Sequence, residues 1–378
     1  MTTLQNTEDS RFPFEVVGNF HVHTVCSDGT GTHQQIAQAA AEAGLDVLMY
    51  TDHNLRTEGV AGWYVHPKSG RRVLLLMGEE VHDEAREPSS VNHYLSLGAE
   101  REVNTYAAQA QAVIDAVNRY GGVGFIAHPF ERPLPIFDET SAFPWVDWQV
   151  SGYAGIELWN YLTEFKSGLS SQGVAVLAVF FPDMFINGPF RETLELWDRL
   201  LASGQRVVAI GGADAHAQMY RLGPFKKRVF PYRQTFQTIN THLLLQEPLA
   251  EDWRTAQSQV LEALRNGHAF VSYRPAGCAR GFRFTAEGQG GTISMGDEAL
   301  LKGPMTLRVR LPLPAHLRLL KDGCQVASVY GRQLTFETDE PGVYRVEAHR
   351  SYHWLWAERA IRRRPWIFSN PIYLRVAK

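Results

Sequence analysis

Short apolar runs that break off into polar clusters recur along the first two thirds of the chain. Phe14 to Phe20 ends in His21 and His23, Val47 to Tyr50 in Asp52 and His53, and Arg72 to Met77 in Gly78-Glu79-Glu80. Tyr94 to Leu97 is introduced by Asn92-His93, and Val123 to Ala127 ends in His128-Pro129. Gly155 to Leu158 carries Glu157 and is followed by Asn160, while Arg206 to Ile210 runs into Gly211-Gly212-Ala213-Asp214-Ala215-His216. Runs of this length, rich in branched and aromatic residues, predict strands. Between them the spacing changes to that of helices. Thr32 with Gln35 is a capping-box signature, and the Ala-rich stretch to Ala43 stops at Gly44. Further helices are predicted over 104–120, near Phe190 to Ala202, and around Ala256 to Arg265 with Gly267 as the stop.

Strands alternating with helices predict an α/β fold rather than a sandwich. Polar clusters that follow the strands suit either an open doubly wound sheet or an α/β barrel, since both build sites at strand carboxyl ends. A closed ring is preferred, because the clusters recur at nearly every strand and one site must see all of them. After about residue 272 the pattern changes. Gly281 to Phe284, Met305 to Leu311, Leu317 to Leu320, Leu334 to Thr338, Gly342 to Ala348 and Ile372 to Val376 are short alternating segments, with a hairpin signal at Asp322-Gly323. We therefore expect a barrel domain over 1–272 and an all-β, sandwich-like domain over 273–378.

The chain is long enough for that division, at 378 residues. A formal net charge of −3 advertises neither nucleic acid nor an anionic membrane as a partner. The amino-terminal stretch lacks a basic and apolar leader pattern, and Cys26, Cys278 and Cys324 are too few and scattered for a disulfide framework. The expectation is a cytoplasmic protein without a nucleic-acid or membrane partner, its oligomeric state open. The histidines change the picture: of the chain's 14, His21, His23, His53, His93, His128 and His216 fall at the ends of apolar runs. In a strand, residues two apart point the same way, so His21 and His23 can grip one ion together. With Asp28, Glu80 and Asp214 they form a pool of nine candidate metal ligands. Imidazoles mixed with carboxylates suit zinc, manganese or iron, and the pool exceeds the needs of a single ion, so two to three ions are expected. Glu79 competes with Glu80, and His82, two residues beyond Glu80, is the alternative to His93. Asp52 reads as a residue that orients its loop, and Glu157 and Asn160 as substrate contacts or supports. The other histidines (His33, His66, His242, His268, His316, His349 and His353) read as surface or structural residues.

The segments HVHTVCSDGT (21–30) and TDHN (51–54), together with GADAH (212–216), resemble the polymerase-and-histidinol-phosphatase (PHP) family of metal-dependent phosphoesterases. The resemblance implies a distorted (βα)7 TIM-like barrel and Glu80 as the ligand, from the family's Gly-x-Glu pattern. It also implies a division of labour: His21, His23, Glu80 and Asp214 on one ion, Glu80, His93 and His128 on a second, and Asp28, His53 and His216 on a third. Asp28, Glu80 and His128 are then the candidates for catalytic roles. Clustered dications supply a nucleophile from water and share charge on phosphoryl oxygens, so a phosphate ester is the expected substrate. Arg132, Arg221 and Lys226, with Lys227 and Arg228, could add positive charge. Some PHP-like hydrolases carry a carboxyl-terminal β domain ending in a segment similar to residues 365–373, and some of these resemble carbamate hydrolases. A carbamate, carboxyl ester or amide hydrolase on the same ions is therefore the alternative, and a non-catalytic metal-binding module the third reading.

Overall fold

A computed structural model describes residues 11–86, 91–133, 142–222, 225–353 and 361–376. The first half contains β1 (Phe14–Asn19), α1 (His33–Ala43), β2 (Val47–Tyr50), β3 (Gly62–Val65), β4 (Arg72–Val81), β5 (Tyr94–Leu97), α2 (Ala110–Arg119), β6 (Val123–Ile126) and β7 (Gly155–Asn160). It continues through α3 (Tyr161–Ser167), α4 (Gln172–Phe180), α5 (Arg191–Ala202), β8 (Val208–Gly212), β9 (Met219–Leu222), β10 (Phe225–Arg228), α6 (Tyr232–Thr235), β11 (Ile239–Leu245), α7 (Trp253–Asn266) and β12 (Ala269–Tyr273). The remainder is all strand: β13 (Arg283–Gly288), β14 (Gly291–Ser294), β15 (Glu298–Leu300), β16 (Met305–Lys321), β17 (Cys324–Thr338), β18 (Gly342–His353), β19 (Ile361–Ser369) and β20 (Ile372–Arg375). The fold is α/β, and among the described residues no helix is long and apolar enough to cross a membrane.

Local rules account for the entry to the site. The Thr32 hydroxyl accepts from Gln35 N and the Gln35 side chain accepts from Thr32 N, so the predicted capping box opens α1; Gly44, at φ 92°, ends it in the left-handed region. Period-two alternation then sorts each strand between two cores. Val47 and Met49 of β2, Leu74 and Leu76 of β4, Leu95 and Leu97 of β5, Phe125 of β6 and Ile210 of β8 share one core, closed by Val260, Leu261 and Leu264 of α7. Leu48, Tyr50, Val73 and Leu75 point the other way, into a core with Ile36, Ala37 and Ala40 of α1. Continuing the alternation along β4 puts Gly78 and Glu80 on the α7 side and Glu79 on the opposite side.

The ladder runs β8-β7-β6-β5-β4-β2-β1-β11-β12. β1, β2 and β4 are mutually parallel, as are β6, β7 and β8, and β5 joins the two sets antiparallel to both neighbours. The expected closed ring is not formed by the ladder. β8 and the chain leaving β1 meet through the isolated Val22–Ala215 bridge, and Thr241 Oγ1 of β11 bonds Gly211 N and O of β8. The sequence reading also lacked β3, β11 and β12. In β11 the polar Asn240, Thr241 and His242 interrupt the apolar run, yet all its residues are buried because β1 and β12 flank it on both edges.

The carboxyl-terminal strands join the same sheet, since Phe270, Val271 and Ser272 of β12 pair with Ser369, Phe368 and Ile367 of β19. Asn370, just after β19, donates to Ala209 O and Ala269 O and accepts from Ala209 N. The Asp322-Gly323 hairpin is present between β16 and β17, with both residues at positive φ (49° and 79°) as a tight turn with primed geometry requires. The expected segments in this region are parts of longer strands: Met305 to Leu311 and Leu317 to Leu320 both lie in β16.

Candidate metal centre

Every residue of the nine-member ligand pool reaches one end of the strands. His21 and His23 follow β1, His53 follows β2, Glu80 is near the end of β4, His128 follows β6, and Asp214 and His216 follow β8. His93 precedes its strand, but β5 runs against its neighbours, so the start of β5 lies at the carboxyl ends of β4 and β6 (Tyr94 pairs with Val81 and with Ile126). Asp28 comes from the loop between β1 and α1. That loop is fixed by Asp52, whose Oδ1 accepts from Thr24 N and Ser27 Oγ (both 2.7 Å) and whose Oδ2 accepts from Thr24 Oγ1 (2.9 Å). His128 and Asp214 have positive φ, 25° and 49°, outside the ordinary range of such residues, as happens where a chain must aim a side chain into a site.

Glu80, 1% exposed, is the centre of the arrangement. Its Oε2 lies 3.2 Å from His21 Nε2, 3.1 Å from His23 Nε2 and 3.2 Å from His53 Nδ1. Its Oε1 lies 2.9 Å from His93 Nδ1 and 3.0 Å from His128 Nε2. Asp214 Oδ1 is 3.5 Å from His21 Nε2, 3.3 Å from His23 Nε2 and 3.5 Å from His216 Nδ1. Asp28 Oδ1 gathers His216 Nε2 at 3.1 Å, His23 Nδ1 at 3.6 Å and His53 Nε2 at 3.8 Å. Donors ~2.1 Å from a shared ion at tetrahedral angles stand about 3.4 Å apart, which is the spacing found here. The buried nitrogens His21 Nε2, His23 Nε2, His53 Nδ1 and His93 Nε2 make no hydrogen bond among the described residues, although carboxylate oxygens stand that close to three of them. Buried polar atoms are ordinarily bonded. Imidazole nitrogens that stand at ligand spacing from carboxylate oxygens without bonding to them fit cations held between them.

The electrostatics agree. Burial draws the His23 and His128 imidazolium forms down, but the neighbouring carboxylates, Asp214 and Glu80 for His23 and Glu80 and Glu131 for His128, carry both up to about 9. Burial likewise opposes the charged form of His21, yet Asp214, Glu157 and Glu80 raise it well above its ordinary value. Burial would raise Glu80 and Asp214, and the surrounding histidines hold both well below the carboxylate range. In contrast, burial pushes His53 down to about 3 and His93 to about 4. Without cations the centre therefore neutralises itself with protons on some of its histidines.

Beneath the donors, Glu157 and Asn160 are buried supports rather than groups open to a substrate. Glu157 Oε1 is 3.1 Å from His21 Nδ1, and Oε2 accepts from His128 N and Asn160 Nδ2. Asn160 also donates to Asp214 Oδ2 (3.3 Å) and caps α3 through Thr163 N. From the sequence Glu157 was legible only as an acidic residue at a strand end; what it touches was not. His82 stacks on His93 at 4.4 Å, and the ligand atoms of His53, His82 and His93 converge, so the structure brings both alternatives to the centre. Glu79 is turned away and accepts from Val103 N at 2.6 Å; burial lifts it to about 7. Arg132 is exposed, paired with Glu192 at 2.5 Å and stacked on Phe190. Arg221, Lys226 and Lys227 lie on the paired strands β9 and β10, whose side chains at these positions fall outside the described residues, and Arg228 is exposed.

Compared with models of known protein families, the chain matches none. Over 102 residues it is 29% identical to the phosphoribosyl 1,2-cyclic phosphate 1,2-diphosphodiesterase of Eggerthella lenta, a match covering 26% of this chain and 37% of that protein. The chain thus spans well under half the length of that curated relative. Among solved structures it is similar to a two-domain protein containing a predicted PHP-like metal-dependent phosphoesterase from Bacteroides vulgatus, at 15% identity and a TM-score of 0.44, covering 96% of this chain and 98% of that one. It is also similar to a candidate metal-dependent phosphoesterase from Bifidobacterium adolescentis, at 18% identity and a TM-score of 0.31, covering 55% of this chain and 91% of that one.

Proposed function

We propose that this chain is a PHP-type hydrolase that uses a multinuclear centre of divalent cations (zinc, manganese or iron) to hydrolyse a phosphate ester. The observation that supports this reading is Glu80, whose two oxygens each face a different set of histidines, as a carboxylate spanning two cations would. His21, His23, Glu80 and Asp214 would hold one ion, Glu80, His93 and His128 a second, and Asp28, His53 and His216 a third. Bound cations of this kind lower the pKa of water and share the charge that develops on phosphoryl oxygens.

The chain's own residues do the positioning. Glu157 takes the Nδ1 proton of His21 in a hydrogen bond and leaves Nε2 to face Glu80 and Asp214. The Phe143 carbonyl, 3.1 Å from His128 Nδ1, does the same for His128. Asp52 holds the loop that presents Asp28, and Phe143, packed on His93, walls one side. The same reading takes the strands of residues 1–272 as a distorted (βα)7 barrel left open in its hydrogen bonding, with residues 273–378 as a β domain joined to it edge on. Three exposed free cysteines fit a reducing cytoplasm.

One observation favours a second reading, hydrolysis of a carbamate, carboxyl ester or amide. Arg132 and Lys166 are each engaged by a carboxylate, Glu192 and Glu131 respectively, which a phosphate would have to displace. The test is metal analysis of the purified protein, then turnover of phosphate monoesters, phosphodiesters, carbamates and carboxyl esters before and after stripping and restoring the ions. Ion-dependent release of phosphate supports the proposal. Turnover of carbamates or carboxyl esters without phosphate esters moves the function to the second reading, and bound ions with no turnover leave a metal-binding module.

A further inference from the structure

A second group of metal-ligating atoms, from the loop that presents Asp28, the start of α1 and the end of β2, shares no residue with the nine-member pool. Cys26 Sγ, a ring nitrogen of His33 and a carboxylate oxygen of Asp52 all lie within 4.8 Å of one another. His33 Nε2 is 4.0 Å from Asp52 Oδ2, is buried, and makes no hydrogen bond among the described residues. The His33 ring is held edge-on against Tyr50 at 4.7 Å, while the Tyr50 hydroxyl donates to His33 O at 2.8 Å, so both ring and backbone are fixed from behind. Asp52 is fixed by its bonds to Thr24 and Ser27. Cys26 is exposed and its thiol is not in a disulfide. A buried imidazole nitrogen without a partner, facing a carboxylate and a thiol, is an unexplained polar atom unless something binds there.

We infer that Cys26, His33 and Asp52 form an accessory site for a thiophilic divalent cation, zinc above all, with water completing the set. A tetrahedral zinc with ~2.3 Å to sulfur and ~2.0 Å to nitrogen and oxygen needs donors about 3.3 to 3.5 Å apart. Bringing His33 Nε2 and Asp52 Oδ2 from 4.0 Å to that separation takes a shift of about 0.7 Å, and the exposed Cys26 side chain turns in to complete the set. Burial keeps His33 below its ordinary pKa against the pull of Asp52, so the imidazole is neutral and can donate its lone pair at neutral pH. Thiolate, imidazole and carboxylate together select zinc over magnesium or calcium. Loading the site ties Cys26 and α1, whose first residue is His33, to the carboxylate that orders Thr24 and Ser27. It therefore stiffens the loop that carries Asp28, and so regulates the neighbouring centre from outside it.

Cobalt(II) tests this directly, because the nine-member pool contains only nitrogen and oxygen donors and cannot give a thiolate-to-cobalt charge-transfer band. The full-length protein, reduced and stripped with chelator, is titrated with cobalt and followed in the near ultraviolet. The band is expected in the native protein and in C278S/C324S, and lost in C26S and in H33A while the visible cobalt bands of the main centre remain. In parallel, cobalt or zinc should protect Cys26 of the native protein from iodoacetamide, which decides the question should either variant fail to fold. Absence of the band from the native protein, its survival in C26S, or alkylation of Cys26 unaffected by metal would each overturn the proposal. None of these results depends on whether the main centre hydrolyses a phosphate ester.

Discussion

Glu80→Gln keeps the shape of the side chain and removes its charge. Five imidazole nitrogens lie within 3.2 Å of the Glu80 oxygens. At that range one charge pair is worth about 5 kcal/mol at an effective dielectric of ~20. The net effect is smaller, because histidines deprived of Glu80 can shed their protons; breaking a buried pair costs ~3–5 kcal/mol. The sign with pH follows from His23 and His128. Their folded pKa of about 9 lies above the ordinary 6.5, so the stability they contribute is complete below about pH 6.5 and lost as pH rises through 9. In the metal-free protein, Glu80→Gln should therefore cost ~3–5 kcal/mol near neutral pH and much less above pH 9. It should also lower metal content by more than one ion per chain. Glu79→Gln is the control. Glu79 is raised to about 7, so an amide resembles the form already half populated, and it can still accept from Val103 N. It should cost under ~1 kcal/mol and keep the metal. Urea unfolding of stripped protein at both pH values, with elemental analysis of reloaded protein, decides. Metal lost from Glu79→Gln and kept by Glu80→Gln would show that the register of β4 is read wrongly.

Loading the centre should release protons, because His21, His23 and His128 hold them at neutral pH and must lose them to ligate; apparent affinity should rise about tenfold per pH unit for each proton displaced, up to about pH 9, and a pH-independent isotherm refutes this. Gly212→Ala should weaken metal binding by about 10- to 100-fold, as loss of a supporting carboxylate does, because a Cβ there would stand 2.3 Å from Glu157 Oε1 and 2.9 Å from His21 Cβ. Metal titration with the far-ultraviolet spectrum unchanged checks it, and native-like affinity would show that Glu157 does not hold His21. Asn370→Ala should cost about 2–4 kcal/mol in urea unfolding, since it orphans buried Ala209 N and O and loosens β8, which leads to Asp214. Cutting the chain after residue 275 removes Asn370 and the β19 ladder together, so the fragment should aggregate despite retaining every donor; a soluble, metal-binding fragment would establish an independent domain.

Most of the candidate donors were legible from two short-range rules, while Asp28, out on a loop, came only with the PHP resemblance of residues 21–30. Alternation chooses Glu80 over Glu79 on β4 and pairs His21 with His23, and an apolar run that stops at a polar cluster marks a strand end. The pairing order of the strands obeys no local rule. β5 is a four-residue run whose direction cannot be read from its residues, yet its reversal is what brings His93 to the same end as His128. The same limit hid β11 and β12, whose partners β1 and β19 are distant in sequence, and with them the continuity of the carboxyl-terminal strands with the rest of the sheet. Support residues were the hardest to assign. Glu157 and Asn160 look like substrate contacts when only their position after a strand is known, since an acid or amide at a strand end serves equally well facing out or in. Their assignment turns on Gly212. With no side chain there, β8 lies close enough to β7 for Glu157 to occupy the space a Cβ would fill, beneath His21 and against His128 N. A glycine in the GADAH segment is thus part of the site through what it leaves empty, and it supplies the packing reason that Glu157 turns inward, with Asn160 bonded to it.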